Sequence, residues 1–237
     1  MGGPEMSEPN DKRLRDAGLA FLGRMVSVQT HEVTNAFSVI NEMAGLQGDI
    51  LEDAAAGEPL DIGELASVCE KIREHVKRGE HVVRSINWLA HTVDHASAVL
   101  NVEELLERIA HVAKSWMYRR QAVVELRLPG RPIHIETRPF FFAFAVLLGI
   151  DMVTDAPGEK RVVLDCRSTE RGIELAISNR GSSAPIKRDR KLETMSSLAR
   201  ELKATYRLTA NENSPDEGVV IGLPMGAVGE ENPKEAH

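Results

Sequence analysis

Three side chains suited to phosphoryl chemistry lie within about one helical turn of each other: His31, Glu32 and Asn35. Recurring apolar residues and the absence of proline predict one helix around them, from Lys12 to about Ala56. With Val26 at position a of a heptad repeat, His31 falls at position f, which faces away from the packing seam. An exposed imidazole can accept a phosphoryl group that a partner presents in line with the ring nitrogen. Glu32 could fix the tautomer and take up the proton, and Asn35 could orient a water on the same face.

The surrounding segment, THEVTNAFSVINEM, resembles the H-box of bacterial sensor histidine kinases. That motif reads His, then Glu or Asp, with Asn or Thr at the fourth position after the His. Its frequent Pro after the Asn is replaced here by Ala36. The resemblance implies that His31 is phosphorylated, that Glu32 is its acid/base helper, and that Asn35 acts in dephosphorylating a partner aspartate. The motif is short, and an exposed helical histidine without a function is the alternative.

A helical hairpin is predicted for residues 10–99. The break after the first helix offers Gly57 as a helix C-terminal cap and Asp61 as an N-cap, and a second proline-free run predicts a helix from Ile62 to about Val99. A lone hairpin leaves much of its apolar stripes in water, so we expect a homodimer in which two hairpins form a four-helix bundle. A hairpin folded back on the C-terminal half is the alternative.

The second half of the chain alternates between short predicted strands and helices. The predicted elements are a helix from Val102 to about Arg119, strands Val123–Leu128 and Ile133–Glu136, an apolar helix from Pro139 to about Ala156, strands Arg161–Arg167 and Gly172–Ser178, a helix from about Arg190 to Lys203, and strands Thr205–Ala210 and Val219–Leu223. This order is similar to that of a histidine kinase joined to its ATP-binding domain, from about Leu14 to Pro224. The predicted fold class is therefore α+β, with the helical hairpin followed at residues 100–225 by a degenerate histidine-kinase ATPase-like α/β sandwich. Residues 226–237 are predicted to be a disordered tail.

The segments that would bind ATP in that family depart from its pattern. The helix that should carry a metal-binding Asn has none, and its nearest polar substitutes, Asp151 and Asp155, are expected at the solvated edge of a core helix. At the adenine turn Asn179 stands in place of Asp and Ser183 in place of the second Gly. No glycine occurs between Gly181 and Gly218 to cover the phosphates. ATP binding is therefore not expected, and autokinase activity is not expected either.

Without ATP the phosphoryl group would come from another protein. The sequence then resembles dimeric histidine phosphotransferases of phosphorelays, which pass phosphate between Asp residues of response-regulator receiver domains. The receiver would supply Mg²⁺, so no cofactor and no metal site is expected on this chain. Two alternatives are a response-regulator phosphatase and a non-catalytic, kinase-like binding protein in which His31 is incidental.

A docking face for the receiver is predicted from the geometry of the hairpin. Folding about a loop near position 59 sets His31 opposite roughly residue 87, with an uncertainty of about one turn. The residues expected on this face are Ser38, Asn41, Glu42, Lys77, His81, Arg84 and Trp88.

Composition limits the other classes of function. The 237 residues carry 29 Lys and Arg against 36 Asp and Glu, a formal charge of −7, which argues against sequence-independent nucleic acid binding. No run approaches a membrane span, and the start lacks a signal peptide, so a cytoplasmic protein is expected. His91 and His95, with Asp94 between them, have a spacing that can bind zinc, but no third ligand is evident and a solvated helix face is preferred.

Overall fold

Two long helices open the chain in the computed structural model, which describes residues 8–118, 122–155, 160–180, 186, 190–211 and 214–224. Helix α1 is Glu8–Ala55 and helix α2 is Ile62–His91. The predicted caps are confirmed: Gly57 has a φ of 105°, and the amide of Glu64 donates to Asp61 Oδ1 at 3.0 Å. The connection is therefore short, and the two helices form a hairpin.

The second helix ends earlier than predicted. It stops at His91, where Thr92 Oγ1 donates to the carbonyl of Leu89 at 2.6 Å. The chain then forms strand β1, Ala98–Asn101, which pairs antiparallel with β3, His134–Thr137. The prediction of a helix as far as Val99 is wrong because a strand partner far along the chain overrides the local apolar periodicity.

The remaining elements follow the predicted order. They are α3 (Val102–Tyr118), β2 (Val123–Arg127), α4 (Pro139–Thr154), β4 (Arg161–Thr169), β5 (Gly172–Arg180), α5 (Arg190–Glu201), β6 (Thr205–Asn211) and β7 (Ser214–Pro224). The larger sheet has the strand order β2-β4-β5-β7-β6, in which β2 and β4 are parallel and the other neighbours antiparallel. The predicted α+β class is confirmed.

Helix α4 forms the centre of the core. It is apolar on all sides and almost wholly buried, as expected for a helix that packs against both a sheet and other helices. Gly149 lets it approach β5 closely, because a Cβ atom there would lie 2.6 Å from Ile177 Cδ1. On α5, Met195, Leu198 and Ala199 are buried while Arg190 and Glu193 on the other side face solvent.

Contacts divide the chain into two compact units whose boundary lies inside the long helices. One unit is Gly23–Trp88, and the other comprises the chain up to Leu22 together with the chain from Leu89 onward. In the second unit the Phe21 ring stacks on Phe144 with a centroid distance of 4.4 Å. The sequence placed the domain boundary near residue 99, and its predicted tail, 226–237, lies outside the described residues.

Across the described ranges, none of the helices combines the length and the apolarity needed to cross a membrane.

Candidate functional site

His31 lies exposed on α1, near the middle of the helix. Among the residues that the structure describes, its side chain forms no hydrogen bond and no ion pair. Asn35, one turn further along, is also exposed. Between them Thr34 donates its hydroxyl to the carbonyl of Thr30 at 2.9 Å, so that hydroxyl is already used within the helix. The face therefore presents an imidazole and an amide to solvent.

Glu32 is directed into the hairpin, away from this face. Its side chain is 4% exposed, and Arg78 Nη2 on α2 donates to Glu32 Oε2 at 2.7 Å. The charge-assisted hydrogen bond neutralises a carboxylate that is otherwise removed from water. The Arg78 side chain is 44% exposed, and its guanidinium bridges the two helices of the hairpin.

The seam inside the hairpin follows different heptad positions from those expected. Gln29 and Ala36 at position d are buried, and so is Glu32 at position g, whereas Val26 at position a is 46% exposed. The expected seam used positions a and d, but the hairpin seam uses d and g. His31 at position f remains exposed because f lies away from both seams.

The register of the hairpin sets Arg84 level with His31. A Cβ atom built on Gly79 would lie 3.8 Å from Ala36 Cβ, so these two positions face each other. Because the helices are antiparallel with an equal rise per residue, moving five residues back from Ala36 corresponds to moving five residues forward from Gly79. The level of His31 is therefore near residue 84 rather than the expected 87, and Trp88 lies about one turn beyond it.

The residues of the predicted docking face are mostly exposed. Ser38, Asn41, Glu42, Lys77, His81 and Arg84 are exposed, and Trp88 is half-buried. Ser38 donates to the carbonyl of Thr34 at 3.0 Å, and Arg84 lies 3.4 Å from Glu80 in an exposed ion pair. These side chains lie on the outer surface of the hairpin, with Arg84 at the level of His31.

A second stripe of the hairpin is apolar and exposed. On α1, Val26, Phe37 and Leu51 are 46%, 65% and 47% exposed, and on α2, Val76 and Val83 are 43% and 53% exposed. Large apolar side chains at helical spacing on both helices are more than scattered surface hydrophobes. The hairpin thus has an uncovered apolar surface in addition to its internal seam.

In the other unit, the two acidic residues of α4 share one lysine. Lys191 Nζ lies 3.0 Å from Asp151 Oδ2 and also pairs with Asp155. The side chains of Lys191 and Asp151 are 27% and 14% exposed. Burial alone would lower the pKa of Lys191, but hydrogen bonds to Asp155 and Asp151 and their charges raise it above its ordinary value. The ammonium therefore stays charged between the two carboxylates.

The amide of Asn179 is used within the fold. Asn179 is 1% exposed; its Oδ1 accepts from the backbone amide of Arg161 at 2.9 Å, and its Nδ2 donates to the carbonyl of Val153 at 3.2 Å. Both ends of the side chain thus tie β5 to α4 and β4. The neighbouring turn, residues 181–185, lies outside the described residues, so the substitution at Ser183 and the lack of a glycine loop stay sequence predictions.

The carboxylates of Asp151 and Asp155 hold the ammonium of Lys191 between them. A divalent cation at Asp151 and Asp155 would meet the ammonium of Lys191, and like charges this close repel strongly. Within the described ranges no cluster of three or more His, Cys, Asp or Glu side chains is arranged to hold a metal. The spacing of His91 and His95 would suit zinc only on a continuous helix, but α2 ends at His91. His91 Nδ1 lies 2.7 Å from Asp94 Oδ2, just beyond that end.

The comparisons with known proteins concern the fold. No family model and no curated protein matches the sequence. The solved structures that are similar include Acinetobacter baumannii histidine kinase AdeS, with a TM-score of 0.46, 13% identity, and coverage of 77% of this chain and 95% of that chain. The ATP binding domain of PrrB from Mycobacterium tuberculosis has a TM-score of 0.46 and 24% identity, with coverage of 56% and 100%. A histidine kinase from Burkholderia phymatum STM815 has a TM-score of 0.47 and 11% identity, with coverage of 84% and 98%.

The predicted order of elements is the one that the structure has: long N-terminal helices are followed by an α+β domain. Sequence reasoning missed two pairings, Arg78 with Glu32 and Lys191 with the aspartates of α4. The sequence does place a basic residue on one element and an acidic residue on the other. Pairing them, however, requires knowing the register between the two elements, which the sequence does not give.

Proposed function

We propose that the protein is a histidine phosphotransferase of a two-component phosphorelay, which passes a phosphoryl group between receiver-domain aspartates through His31. The observation that carries the proposal is the exposed imidazole of His31, level with Arg84 on a hairpin surface lined by polar side chains. A receiver can approach such a convex surface with its own aspartyl phosphate in line with the ring nitrogen.

The transfer step needs one free ring nitrogen. The neutral imidazole nitrogen of His31 attacks phosphorus, the bond between phosphorus and the aspartate oxygen breaks, and the aspartate leaves as a carboxylate. The guanidinium of Arg84 is placed to attract the negative charge of the incoming acidic site. Asn35 is an exposed amide one turn from His31, which suits it to orient a water when the group is lost to solvent.

Glu32 acts as the helper of His31 in this proposal only after its contact with Arg78 opens. In the closed arrangement the 2.7 Å hydrogen bond holds the carboxylate inside the hairpin, where it does not reach the imidazole face. Receiver-to-histidine transfer can proceed with Glu32 held there, because the attacking nitrogen of a neutral imidazole carries no proton.

The proposal includes no use of ATP by this chain. The ammonium of Lys191 between Asp151 and Asp155, and the buried amide of Asn179, which is hydrogen-bonded at both its oxygen and its nitrogen, support that part of it. In such a protein the ATPase-like domain serves as a scaffold, and Mg²⁺ belongs to the receiver.

The proposal also includes a homodimer. The exposed stripe that contains Val26, Phe37 and Val83 supports it, because a second hairpin would remove these side chains from water. The partner in this bundle is a second copy of the chain, and the polar face around His31 stays available to a receiver.

The test follows labelled phosphate from receiver domains onto the protein. Receivers phosphorylated by a small-molecule donor are mixed with the protein and with a His31→Gln variant. Stable label that requires His31 supports phosphotransfer. Rapid release of free phosphate, with no labelled intermediate and dependence on Asn35, would favour a phosphatase, and an effect independent of His31 would favour a binding protein.

A further inference from the structure

We propose that a cleft beside α5 binds a small molecule with two anionic ends, such as a bisphosphate or a dicarboxylate. The cleft measures about 720 Å³ and lies between the first turns of α1, helix α5 and strand β6. This volume is in the range of small-molecule sites, roughly 300–1,000 Å³. All the elements that line it belong to the same compact unit.

Three arginines line the cleft in a chain whose formal charge is −7: Arg13, Arg190 and Arg200. All three are exposed, and no ion pair joins any of them to another residue in the part of the chain that the structure describes. Two neighbouring cations are engaged elsewhere, since Arg138 pairs with Glu201 and Lys191 with the aspartates of α4. The three guanidinium groups therefore keep their N–H donors for an anion, and their planar geometry matches phosphate or carboxylate oxygens.

The spacing of the charges favours an elongated ligand over a single ion. Arg190 and Arg200 lie ten residues apart on α5, which corresponds to about 15 Å along the helix axis. Between them on the cleft wall lies Glu193, which disfavours an anionic group in the middle. The hydroxyls of Ser196 and Tyr206 also line the cleft and can bond to a neutral, polar centre. The geometry thus selects two charged ends joined by an uncharged body.

The opposite wall adds the third cation and an apolar floor. Arg13 comes from the first turns of α1, where Leu14 and Ala17 also face the cleft. Leu14 is 5% exposed, so this wall is anchored in the core of the unit. A ligand would therefore join α1 to α5, and the site is complete only when the start of α1 is in place.

Calorimetry on the full chain at low salt tests the site with three probes: fructose 1,6-bisphosphate, glucarate and inorganic phosphate. We expect one of the two elongated probes to bind at least about tenfold more tightly than inorganic phosphate, with affinity falling as salt rises. The elongated probe that binds more tightly identifies the phosphate or the carboxylate as the preferred end group.

Substitutions distinguish a specific binding site from a general electrostatic attraction of anions to exposed arginines. Arg13→Gln, Arg190→Gln and Arg200→Gln should each weaken binding by about three- to tenfold, and Glu193→Gln should strengthen it. Arg108→Gln on α3, also an exposed helical arginine, is the matched control and should leave affinity unchanged. Thermal unfolding of each variant verifies that it folds. Absence of binding by folded protein at millimolar probe, or equal weakening by Arg108→Gln, would overturn the proposal.

Discussion

Arg78 on α2 donates a 2.7 Å hydrogen bond to Glu32, the residue next to His31 on α1. The pair joins the two helices of the hairpin, and in this rotation of α1 Glu32 faces inward while its neighbour His31 faces outward. The residue next to the candidate phosphoacceptor is therefore part of a contact that holds the hairpin together.

Arg78→Ala should destabilise the protein by about 1–3 kcal/mol, because the Glu32 carboxylate would remain buried without a partner. Urea unfolding measures the change in free energy. Arg73→Ala is the matched control: its ion pair with Glu70 is 3.8 Å long and exposed, so its loss should cost less than about 1 kcal/mol. Equal effects of the two substitutions would show that the Arg78 pair does not stabilise the hairpin.

The contribution of Lys191 should depend on pH in a defined direction. Its pKa is raised in the folded state, so its stabilising effect is fully present below the unfolded pKa of about 10.4 and is lost as pH rises through the folded pKa. The difference in unfolding free energy between the natural protein and Lys191→Met should therefore be constant from neutral pH to about pH 9 and shrink above it.

Urea unfolding at a series of pH values measures this difference. Lys203→Met is the control, since Lys203 is exposed and has no resolved shift in its pKa. A Lys191 difference that grows with rising pH would contradict the ion-pair cluster.

Phe37→Lys should weaken the proposed homodimer. Phe37 is 65% exposed in the single chain, and covering it in two subunits would contribute about 3–6 kcal/mol, so the dissociation constant should rise by about 100-fold or more. Light scattering across a concentration series measures the mass. Leu60→Lys in the loop, 44% exposed, is the control and should remain dimeric. If the natural protein is a monomer at high concentration, the bundle is wrong.

Arg84→Glu should slow phosphotransfer from a receiver by about tenfold, because it reverses a charge at the level of His31. The loss should shrink as ionic strength rises. Arg73→Glu, nearer the loop and outside the predicted docking face, should transfer at nearly the natural rate. Single-turnover transfer at several salt concentrations gives these rates, and an unaffected Arg84 variant would remove the residue from the docking face.

The sequence predicted most of the elements but not the partners of individual side chains. Apolar periodicity and the Gly57 and Asp61 caps located α1 and the start of α2, because these signals are local. The end of α2 was misplaced because β1 pairs with β3, more than thirty residues away in the chain, and such pairing leaves no local pattern.

In the candidate site, too, the local features could be predicted from the sequence and the contacts between distant segments could not. The exposure of His31 followed from the heptad position, since any rotation that buries position d or g leaves position f outside. The inward direction of Glu32 and the bridging role of Lys191 required the register between helices and the packing of α5 on α4. The register and the packing depend on contacts between segments that are distant in the chain, and the apolar periodicity of a single segment carries no information on such contacts.

The most direct test of the account compares two phosphoryl donors on the same protein. One sample receives phosphorylated receiver domain and the other receives ATP with Mg²⁺, and mass spectrometry locates any phosphate. The account predicts phosphate on His31 from the receiver, none from ATP, and none from either donor on His31→Gln. Phosphate on His31 from ATP, or a receiver that never labels His31, would contradict it.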